Sequence, residues 1–405
     1  MNAANGQQRA RALLLCAESP FPTAGGGAMR SASVLEFLAQ RYDVDVTLFQ
    51  ERGSPDPRDD FPAGRARRIS VIELPRHSRT NGARAWRAAK RTLRNRPPLI
   101  DRFSGFDPQV EASMDSGSYD LAIVEHLWCA SYVDRIRPRA RTVVLDAHNI
   151  ESVWHRRVGA TGGVLQRAAF RKFAAACDTF ERHWMKKYDA VMVASEEDAR
   201  HVADTRKFVY PNCIPARSRP PRDEEQVIIF SGNLEYQPNI SAVRHFKSKI
   251  WPLLRERVPD LIWRIAGRNP HAVAPIVNGD PRIHVTGPME DAVATLAQAR
   301  VAVVPLLAGS GTRFKILEAW AAGTPVVSTR LGAEGLAANA GEHLLICDEP
   351  SEFAEAVAFL LEAPEARAQL AEAGRHLYET RYTWNVAWDA LETELSALNN
   401  NKNKN

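Results

Sequence analysis

Near-continuous apolar runs separated by helical patterns constrain the fold of this chain more than any other feature. Such runs are typical of parallel strands that are buried on both faces. Residues 31–42, between the first two runs, have helical periodicity, so the order is strand, helix, strand. That order predicts a right-handed crossover in a doubly wound α/β sheet. In the first half of the chain the runs predict strands at 11–17, 43–49, 68–74, 119–126, 141–148 and 189–195.

The pattern restarts after a proline-rich break at 210–226, which we interpret as an interdomain linker. A long helix is predicted at 239–258 and a last one at 383–398. Further strands are predicted at 227–233, 261–267, 282–287, 301–307, 324–329 and 343–348. We therefore expect an α/β protein of two Rossmann-like doubly wound domains facing each other across a cleft. The predicted domains are 1–220 and 221–382, with a disordered tail at 399–405.

Length and composition agree with this organisation. A chain of 405 residues is too long for one ordinary core. No apolar run reaches the roughly 18–20 residues that a membrane-spanning helix needs, and no signal-peptide pattern opens the sequence, so we expect a cytoplasmic location. The five cysteines are scattered without a CxxC spacing, which favours reduced packing residues over a disulfide framework or a zinc site.

Positive charge is concentrated at residues 65–102, where twelve lysines and arginines accompany two acids. Within this segment, residues 83–98 have the pattern of a basic amphipathic helix. Such a helix can lie on an anionic membrane, here the inner face, or can be an ordinary solvated surface helix. A nucleic-acid-binding protein is a further alternative, but no zinc spacing or RNA-binding aromatic motif supports it. We therefore predict no nucleic-acid partner.

The stretch GSGTRFKILEAWAAGTPVVST at 309–329 is the most informative local motif. It follows the predicted strand 301–307, and its helix is predicted from about residue 312 to the stop at Gly323. Ligands of open α/β sheets bind at this kind of strand-to-helix junction. Glycines allow close approach of the backbone, and the free amide groups of the helix start point at an anion.

Charged residues in this motif also indicate a bound anion. Arg313 and Lys315 stand in the first helical turn, where a cation is unfavourable by about 0.3–1 kcal/mol. A pyrophosphate would reverse the sign, because arginine offers it a bidentate fork and lysine a point charge. Glu318 lies at the edge of the predicted buried stripe and needs donors, which the two hydroxyls of a ribose would supply. The alternative for Glu318 is an ion pair with Lys315 within the helix.

Histidines end two predicted strands of the first half. His148 ends the strand 141–148, and His126 ends the strand 119–126. Either can hydrogen-bond a sugar hydroxyl or face a developing charge, or can be a satisfied structural residue. Glu151 either orients His148 or sits in a first helical turn.

Three consecutive glycines, Gly25, Gly26 and Gly27, separate the first predicted strand from its helix. We predict a flexible loop there, which either becomes ordered around a substrate or remains mobile.

Taken together, 309–329 and LGAEGL at 331–336 resemble the nucleotide-sugar site of family 4 glycosyltransferases of the GT-B fold. The nearest resemblance is to bacterial sugar transferases of exopolysaccharide clusters. Other motifs of the family occur in the same order: PTAGGGAMR (22–30), DAHNIES (146–152), YPNCIP (210–215), SGNLEYQPNISAV (231–243) and YTWNVAWDALE (382–392).

This resemblance implies a retaining, metal-independent hexosyltransferase of polysaccharide or glycoconjugate biosynthesis. It implies no cofactor; the nucleoside-diphosphate sugar, UDP- or GDP-linked, is a substrate, and the acceptor is a saccharide or a lipid-linked sugar. It also implies that the helix 383–398 packs back toward the first domain.

The resemblance also assigns roles to the residues singled out above. It places Glu318 on the ribose, and it implies catalytic roles for His148, Glu318, Arg313 and Lys315. The implied donor site is Gly232, Asn233, Gly309, Ser310, Gly311, Thr312, Arg313, Lys315 and Glu318. The implied acceptor-side residues are Gly25, Gly26, Gly27, His126 and Glu151.

Two departures from the family pattern stand out. Ser310 occupies the first position of the family's Glu-x7-Glu pair. The arginine and lysine that relatives carry after the first strand of the second domain are also missing, since Asn233 is followed by no lysine before Lys247. Arg313 and Lys315 are the expected substitutes.

A second enzyme class uses the same diphosphate loop. A nucleotide-sugar epimerase of the GT-B fold would show additional acid/base carboxylates, and it would convert its nucleotide sugar without any acceptor. Epimer formation in the absence of an acceptor therefore distinguishes it from a transferase.

Overall fold

The computed structural model describes residues 9–23, 25–76, 80–160, 164–222, 224–308 and 314–402. The chain divides into two compact units. The first comprises residues 1–210 and 388–405, and the second comprises residues 211–387. The division after Tyr210 lies at the start of the predicted linker, earlier than the expected domain boundary at 220.

The first unit contains a seven-stranded parallel sheet in the order β3-β2-β1-β4-β5-β6-β7. All six predicted strands are present. The additional strand, β7, is only three residues long, too short for a periodicity signal. The strands are β1 (Arg11–Cys16), β2 (Asp43–Glu51), β3 (Arg68–Leu74), β4 (Tyr119–Glu125), β5 (Ala140–Asp146), β6 (Ala190–Val193) and β7 (Lys207–Val209).

Helices connect these strands as the doubly wound pattern requires. They are α1 (Gly26–Arg41), α2 (Asn81–Leu93), α3 (Pro98–Phe103), α4 (Asp107–Ser113), α5 (Val133–Ile136), α6 (Glu151–Ala160), α7 (Val164–Met185) and α8 (Glu196–Ala199). The core lies around β1, β4 and β5, whose last five residues are all buried. Burial on both faces explains why these strands appear in the sequence as continuous apolar runs.

The predicted flexible loop at Gly25–Gly27 is wrong in part. Helix α1 begins at Gly26, so Gly26 and Gly27 form its first turn, and the Met29 amide donates to the Gly25 carbonyl (2.9 Å). Glycine can adopt helical angles, and here its missing side chain leaves room: a Cβ on Gly27 would collide with the Glu18 carboxylate. That carboxylate therefore lies at the positive end of α1, where negative charge is stabilised.

The second unit contains a six-stranded parallel sheet in the order β10-β9-β8-β11-β12-β13. All six predicted strands are present: β8 (Glu225–Ser231), β9 (Ile262–Ala266), β10 (Ile283–Thr286), β11 (Ala299–Val304), β12 (Val326–Ser328) and β13 (Leu345–Ile346). The strand order reverses between β8 and β11, and the corresponding reversal in the first unit lies between β1 and β4. Ligands of open parallel sheets bind at such reversals.

The second unit's helices follow the same alternation. They are α9 (Gln237–His245), α10 (Trp251–Arg257), α11 (Ala274–Val277), α12 (Ala292–Ala297), α13 (Phe314–Ala322), α14 (Pro350–Glu362) and α15 (Pro364–Arg381). The last helix, α16 (Trp384–Lys402), begins in the second unit and ends in the first. A π-helical turn, Phe246–Ile250, joins α9 to α10, so the predicted helix 239–258 changes register before Pro252. Proline lacks the amide hydrogen that an uninterrupted α-helix would require there. Gly323 (φ 69°) ends α13 as predicted.

The last helix, α16, continues beyond its predicted end. From Trp388 onward it belongs to the first unit, where Trp388 Nε1 donates to the Ser33 carbonyl (3.0 Å). The expectation of a disordered tail from residue 399 is wrong as far as Lys402. Asn399 Oδ1 accepts from Thr142 (3.0 Å), and Lys402 pairs with Asp189 (2.7 Å), so side-chain contacts hold the last turn. Residues 403–405 lie outside the described part.

None of the helices in the described part of the chain combines the length and apolar content needed to cross a bilayer.

Candidate functional site

Two glycine turns shape the carboxyl edge of the second unit's sheet. Gly232 (φ 144°) follows β8, Gly267 (φ 150°) follows β9, and the Gly232 amide donates to Ala266 (3.0 Å). A Cβ on Gly267 would collide with the Gly232 carbonyl. A Cβ on Gly232 would come within 3.2 Å of Lys315 Nζ. Both positions therefore require glycine, for their positive φ as well as for space.

Lys315 reaches this turn from helix α13. Its ammonium donates to Asn239 Oδ1 (2.9 Å) and lies 4.0 Å from the centroid of the Phe230 ring. Asn239 Nδ2 in turn donates to the Asn233 carbonyl (2.7 Å). A lysine distant in sequence thus supplies positive charge beside the turn after the first strand, where the family pattern has its basic pair. Lys247 is occupied elsewhere, paired with Asp280 (3.3 Å).

Glu318 follows Lys315 by one helical turn and is half-buried. Burial raises the pKa of its carboxyl to about 7; the charge of Lys315 lowers that pKa, and Asp291 raises it. No ion pair joins Glu318 to Lys315 among the described side chains, so the ion-pair alternative is not realised there. A desolvated carboxylate of this kind favours hydrogen-bond donors from a ligand.

Asn233 stabilises the loop itself. Its Oδ1 accepts from the Glu235 amide (3.2 Å) and from Asn269 Nδ2 (3.0 Å). Asn269 has left-handed backbone angles (φ 60°), so this bond ties the loop after β8 to the loop after β9. A role for Asn233 in donor binding stays a prediction.

The centre of the predicted diphosphate loop lies outside the described residues. These are Gly309, Ser310, Gly311, Thr312 and Arg313. The flanking elements are in the predicted places, with β11 ending at Val304 and α13 beginning at Phe314. The loop therefore joins the carboxyl end of a parallel strand to the start of a helix, and its contacts stay a prediction.

In the first unit, a buried ion pair anchors the edge of the sheet. Arg30 of α1 binds both oxygens of Asp146 at the end of β5, at 2.8–3.0 Å, and these side chains are 1% and 0% exposed. Arg30 also donates to the Tyr210 carbonyl (2.6 Å). Burial raises the pKa of Asp146, but Arg30 and His148 outweigh this effect and hold it well below its ordinary value. Asp146 is therefore an anion.

Two histidines stack beside this pair. The rings of His126 and His148 have centroids 3.7 Å apart, and Trp128 stacks on the other face of His126 at 4.1 Å. Both histidines have positive φ (65° and 49°) and are nearly buried, with 5% and 6% exposed. Left-handed backbone in non-glycine residues costs about 1–3 kcal/mol and persists where surrounding contacts fix it. Here the stacked rings and the neighbouring Asp146 hold the two histidines in this backbone conformation.

The surroundings of the two rings differ. His148 Nε2 lies 3.3 Å from Asp146 Oδ2, without the alignment of a hydrogen bond. Burial and the neighbouring His148 lower the pKa of His126 well below its ordinary value. His126 is therefore uncharged at neutral pH.

Comparison with known proteins identifies the second unit. Residues 225–363 match the family model of "Glycosyl transferases group 1". We refer to these residues of the second unit, which are similar to a group 1 glycosyltransferase domain, as the group 1 domain. The match includes β8, the Gly232 turn and helix α13, so Lys315 and Glu318 belong to the group 1 domain.

Whole-chain comparisons extend beyond the group 1 domain. Sucrose-phosphate synthase from Thermosynechococcus elongatus is similar at a TM-score of 0.71 with 16% identity, over 96% of this chain and 99% of that one. HepE of Anabaena in complex with UDP and glucose gives a TM-score of 0.62 with 14% identity, over 95% and 99%. The expected GT-B fold is confirmed by these likenesses, which concern the fold alone.

One curated relative is an uncharacterized 44.6 kDa protein in the cps region of Klebsiella pneumoniae. It is 22% identical over 254 residues, which cover 58% of this chain. The match spans 64% of the relative's own length.

Outside the group 1 domain, three side chains of the first unit have metal-binding donors. Glu125, Asp146 and His148 bring donor atoms within 4.8 Å of one another. However, both Asp146 oxygens already bind Arg30, whose charge opposes a cation. Glu125 accepts from Ser31 (2.6 Å), and burial raises its pKa to about 7. The residues therefore do not fit a resident ion, and we assign none.

Among the described side chains, no hydrogen bond joins Glu151 to His148. Glu151 occupies the first turn of α6 and is buried. Burial and the neighbouring Glu181 raise the pKa of its carboxyl to about 8. Glu181 itself accepts from the Ser152 amide (2.9 Å). An acceptor-side role for Glu151 stays a prediction, as do those of His126 and the glycines.

Sequence reasoning missed Asn239 in the group 1 domain and Arg30 and Asp146 in the first unit. Asp146 and Arg30 stood inside quoted motifs, two residues before His148 and three after Gly27. An aspartate ending an apolar strand is a recognisable signal of a buried partner. Its pairing with Arg30, across 116 residues, depends on the fold.

Proposed function

We propose that the protein is a retaining, metal-independent glycosyltransferase. It transfers a sugar from a nucleoside-diphosphate donor to a hydroxyl of a saccharide or lipid-linked acceptor. The observation that carries this proposal is the position of Lys315, which places a cation beside the glycine turn of a group 1 domain.

The reaction needs stabilisation of a leaving anion. A bond forms between the acceptor oxygen and the anomeric carbon, while the bond from that carbon to the diphosphate breaks. The nucleoside diphosphate leaves with the bonding electrons, and its departing oxygen takes the proton that the acceptor hydroxyl loses. Lys315 stabilises the charge that develops on the diphosphate, together with Arg313. A fixed cation contributes most in a site that is already organised, and the Asn239 contact organises this one.

Glu318 binds the ribose in this proposal. Its carboxylate accepts from both ribose hydroxyls, which supply the donors that the described protein groups do not. Desolvation strengthens such bonds and penalises their absence. Glu318 therefore selects a ribonucleotide, because a 2′-deoxyribose would leave one bond unmade.

The first unit supplies His148. Its backbone is strained, and Asp146, which Arg30 holds in place, lies beside its ring. Such a residue can hydrogen-bond a sugar hydroxyl or face the charge that develops at the transferred sugar. Its 6% exposed fraction means that only the edge of its ring is available to a ligand.

We propose UDP as the donor nucleotide and polysaccharide biosynthesis as the process in which the enzyme acts. HepE, which shares this fold, binds UDP and glucose. The curated relative belongs to a cps region.

A thermal-shift panel tests the proposal most directly. UDP, GDP, ADP and their sugars are added separately, since a ligand that binds the native state raises its melting temperature. We expect a diphosphate to raise it and Lys315→Met to reduce that shift. No shift with any diphosphate, in a folded protein, would refute the nucleotide site.

Incubation with the stabilising nucleotide sugar then separates the reaction classes. With an acceptor mixture we expect a glycosylated product that retains the donor's anomeric configuration. Conversion of the nucleotide sugar to an epimer without acceptor would show that the protein is an epimerase and not a transferase.

A further inference from the structure

Helix α2 presents apolar side chains to solvent. Trp86 is 71% exposed and Leu93 82% exposed. They are seven residues apart, so they lie on one face of the helix, with exposed Ala89 and Lys90 between them. The other side of α2 faces the protein, because Arg91 is mostly buried and pairs with Asp101 (2.9 Å). The apolar face is therefore the outward one.

Positive charge surrounds this face. Lys90, Arg94 and Arg96 are exposed, and no acidic side chain of the described chain pairs with any of the three. The nearby acid, Asp101, is already neutralised by Arg91. Exposed lysines and arginines flanking a large aromatic ring are typical of helices that lie in the headgroup region of anionic membranes.

Helix α7, which contacts α2, also exposes apolar and basic side chains. Val164 at its start is 84% exposed. Arg171, two turns further along the same helix face, is exposed, as is Lys172. Two neighbouring elements of the first unit thus expose large apolar groups together with basic ones.

We propose that α2 and the start of α7 form a docking surface for anionic lipid headgroups. Trp86 and Leu93 insert at the boundary between headgroups and acyl chains, and Lys90, Arg94 and Arg96 bind the lipid phosphates. Charge complementarity combined with the exposed apolar groups favours a lipid. This surface is independent of the proposed transfer reaction, because binding to a membrane requires no nucleotide.

Nucleic acid is the other polyanion to consider. Phosphate contacts alone would explain the basic residues. They would not explain exposed Leu93 and Val164, which have no base-stacking surface. A bilayer accommodates both groups, so the observations favour the lipid.

Co-sedimentation with vesicles tests the proposal on the full chain. Vesicles with roughly one third phosphatidylserine are compared with pure phosphatidylcholine at low salt. We expect binding only to the anionic vesicles. Lys90→Gln/Arg94→Gln/Arg96→Gln should weaken it by roughly 100-fold, at about fivefold for each basic residue. Trp86→Ser/Leu93→Ser should weaken it by at least about tenfold.

Matched controls come from the second unit. Arg244→Gln/Lys249→Gln/Arg381→Gln removes three exposed cations, and Phe359→Ser removes a half-exposed aromatic group. Both control variants should bind vesicles like the wild type. Melting temperatures of all variants confirm that they are folded.

Three outcomes would overturn the proposal. One is equal vesicle binding by wild type and both α2 variants, and another is no binding to anionic vesicles at all. The third is loss of duplex DNA binding in the basic variant with vesicle binding unaltered, which would assign the surface to nucleic acid.

Discussion

Each unit places a helix cation at the carboxyl edge of its sheet, but the surroundings of the two cations differ. Arg30 in the first unit is 1% exposed and bound to a fully buried carboxylate. Lys315 in the second unit is half-buried, and its described contacts are with an amide oxygen and an aromatic ring. A buried charge with its counter-ion fixes a conformation, whereas a partly solvated cation beside a glycine turn remains within reach of an anionic ligand. We therefore expect the first edge to orient side chains and the second to bind a ligand.

Removal of the buried counter-ion has the largest expected effect. Asp146→Ala leaves the Arg30 charge buried without compensation, so the free energy of unfolding should fall by about 3–5 kcal/mol. Urea denaturation measures it. Asp134→Ala, which breaks a half-exposed pair with Lys187, should remain close to wild type. If Asp146→Ala were as stable as that control, the orienting role of the first edge would be lost.

Lys315→Met should act on the ligand and leave the fold intact. We expect nucleoside-diphosphate affinity to fall by about 10- to 100-fold, because charge-assisted hydrogen bonds contribute about 1.5–3 kcal/mol. Isothermal titration calorimetry measures the affinity. The control, Lys249→Met, removes an exposed lysine of the same unit and should bind like the wild type. A Lys315→Met variant that is less stable than the wild type but binds nucleoside diphosphate equally well would contradict the binding role of the second edge.

Two of the carboxyl groups with raised pKa, those of Glu151 and Glu318, sharpen the contrast. The folded-state pKa of Glu151, about 8, exceeds its ordinary value, so the native state holds the proton more tightly than the unfolded chain. The stability this provides is complete below the ordinary pKa and is lost as pH rises toward about 8. Between pH 6 and pH 8 the wild type should lose about 2 kcal/mol that Glu151→Gln does not lose. Identical pH profiles in urea denaturation would contradict this burial effect.

Glu318 should respond through the ligand instead. Its pKa is about 7, and only the carboxylate accepts two ribose hydroxyls. Affinity for a nucleoside should therefore rise about tenfold from pH 6 to pH 8, and Glu318→Gln should show a flat profile. An uncharged nucleoside serves as the ligand because it has no phosphate groups that would titrate in this pH range. A flat profile in the wild type would remove Glu318 from the ribose.

Much of the architecture could be predicted because buried parallel strands appear in the sequence as apolar runs. Twelve strands and the stop of α13 at Gly323 are confirmed on that basis. The first turn of α1 was mispredicted because consecutive glycines are as compatible with a helix start as with a loop. The end of α16 was mispredicted because Asn399 and Lys402 are held by contacts to β5 and its surroundings, which local composition does not encode.

The candidate site was predictable where one helix carries it and unpredictable where distant segments meet. Lys315 and Glu318 are one turn apart, so their proximity follows from helical spacing. Asn239 contacts Lys315 across 76 residues, and Arg30 contacts Asp146 across 116. Only the sheet order brings those pairs together.

The first unit is not one continuous stretch of chain, because residues 388–402 complete it after the whole second unit has been synthesised. During translation, Ser33 cannot form its hydrogen bond until Trp388 is synthesised, and Arg206 cannot pair until Glu394 is synthesised. A nascent first unit is thus left with an uncovered flank until translation is almost finished. For recombinant work, a fragment that stops at Tyr210 would expose that flank, whereas fusing 388–402 behind a short linker would close it.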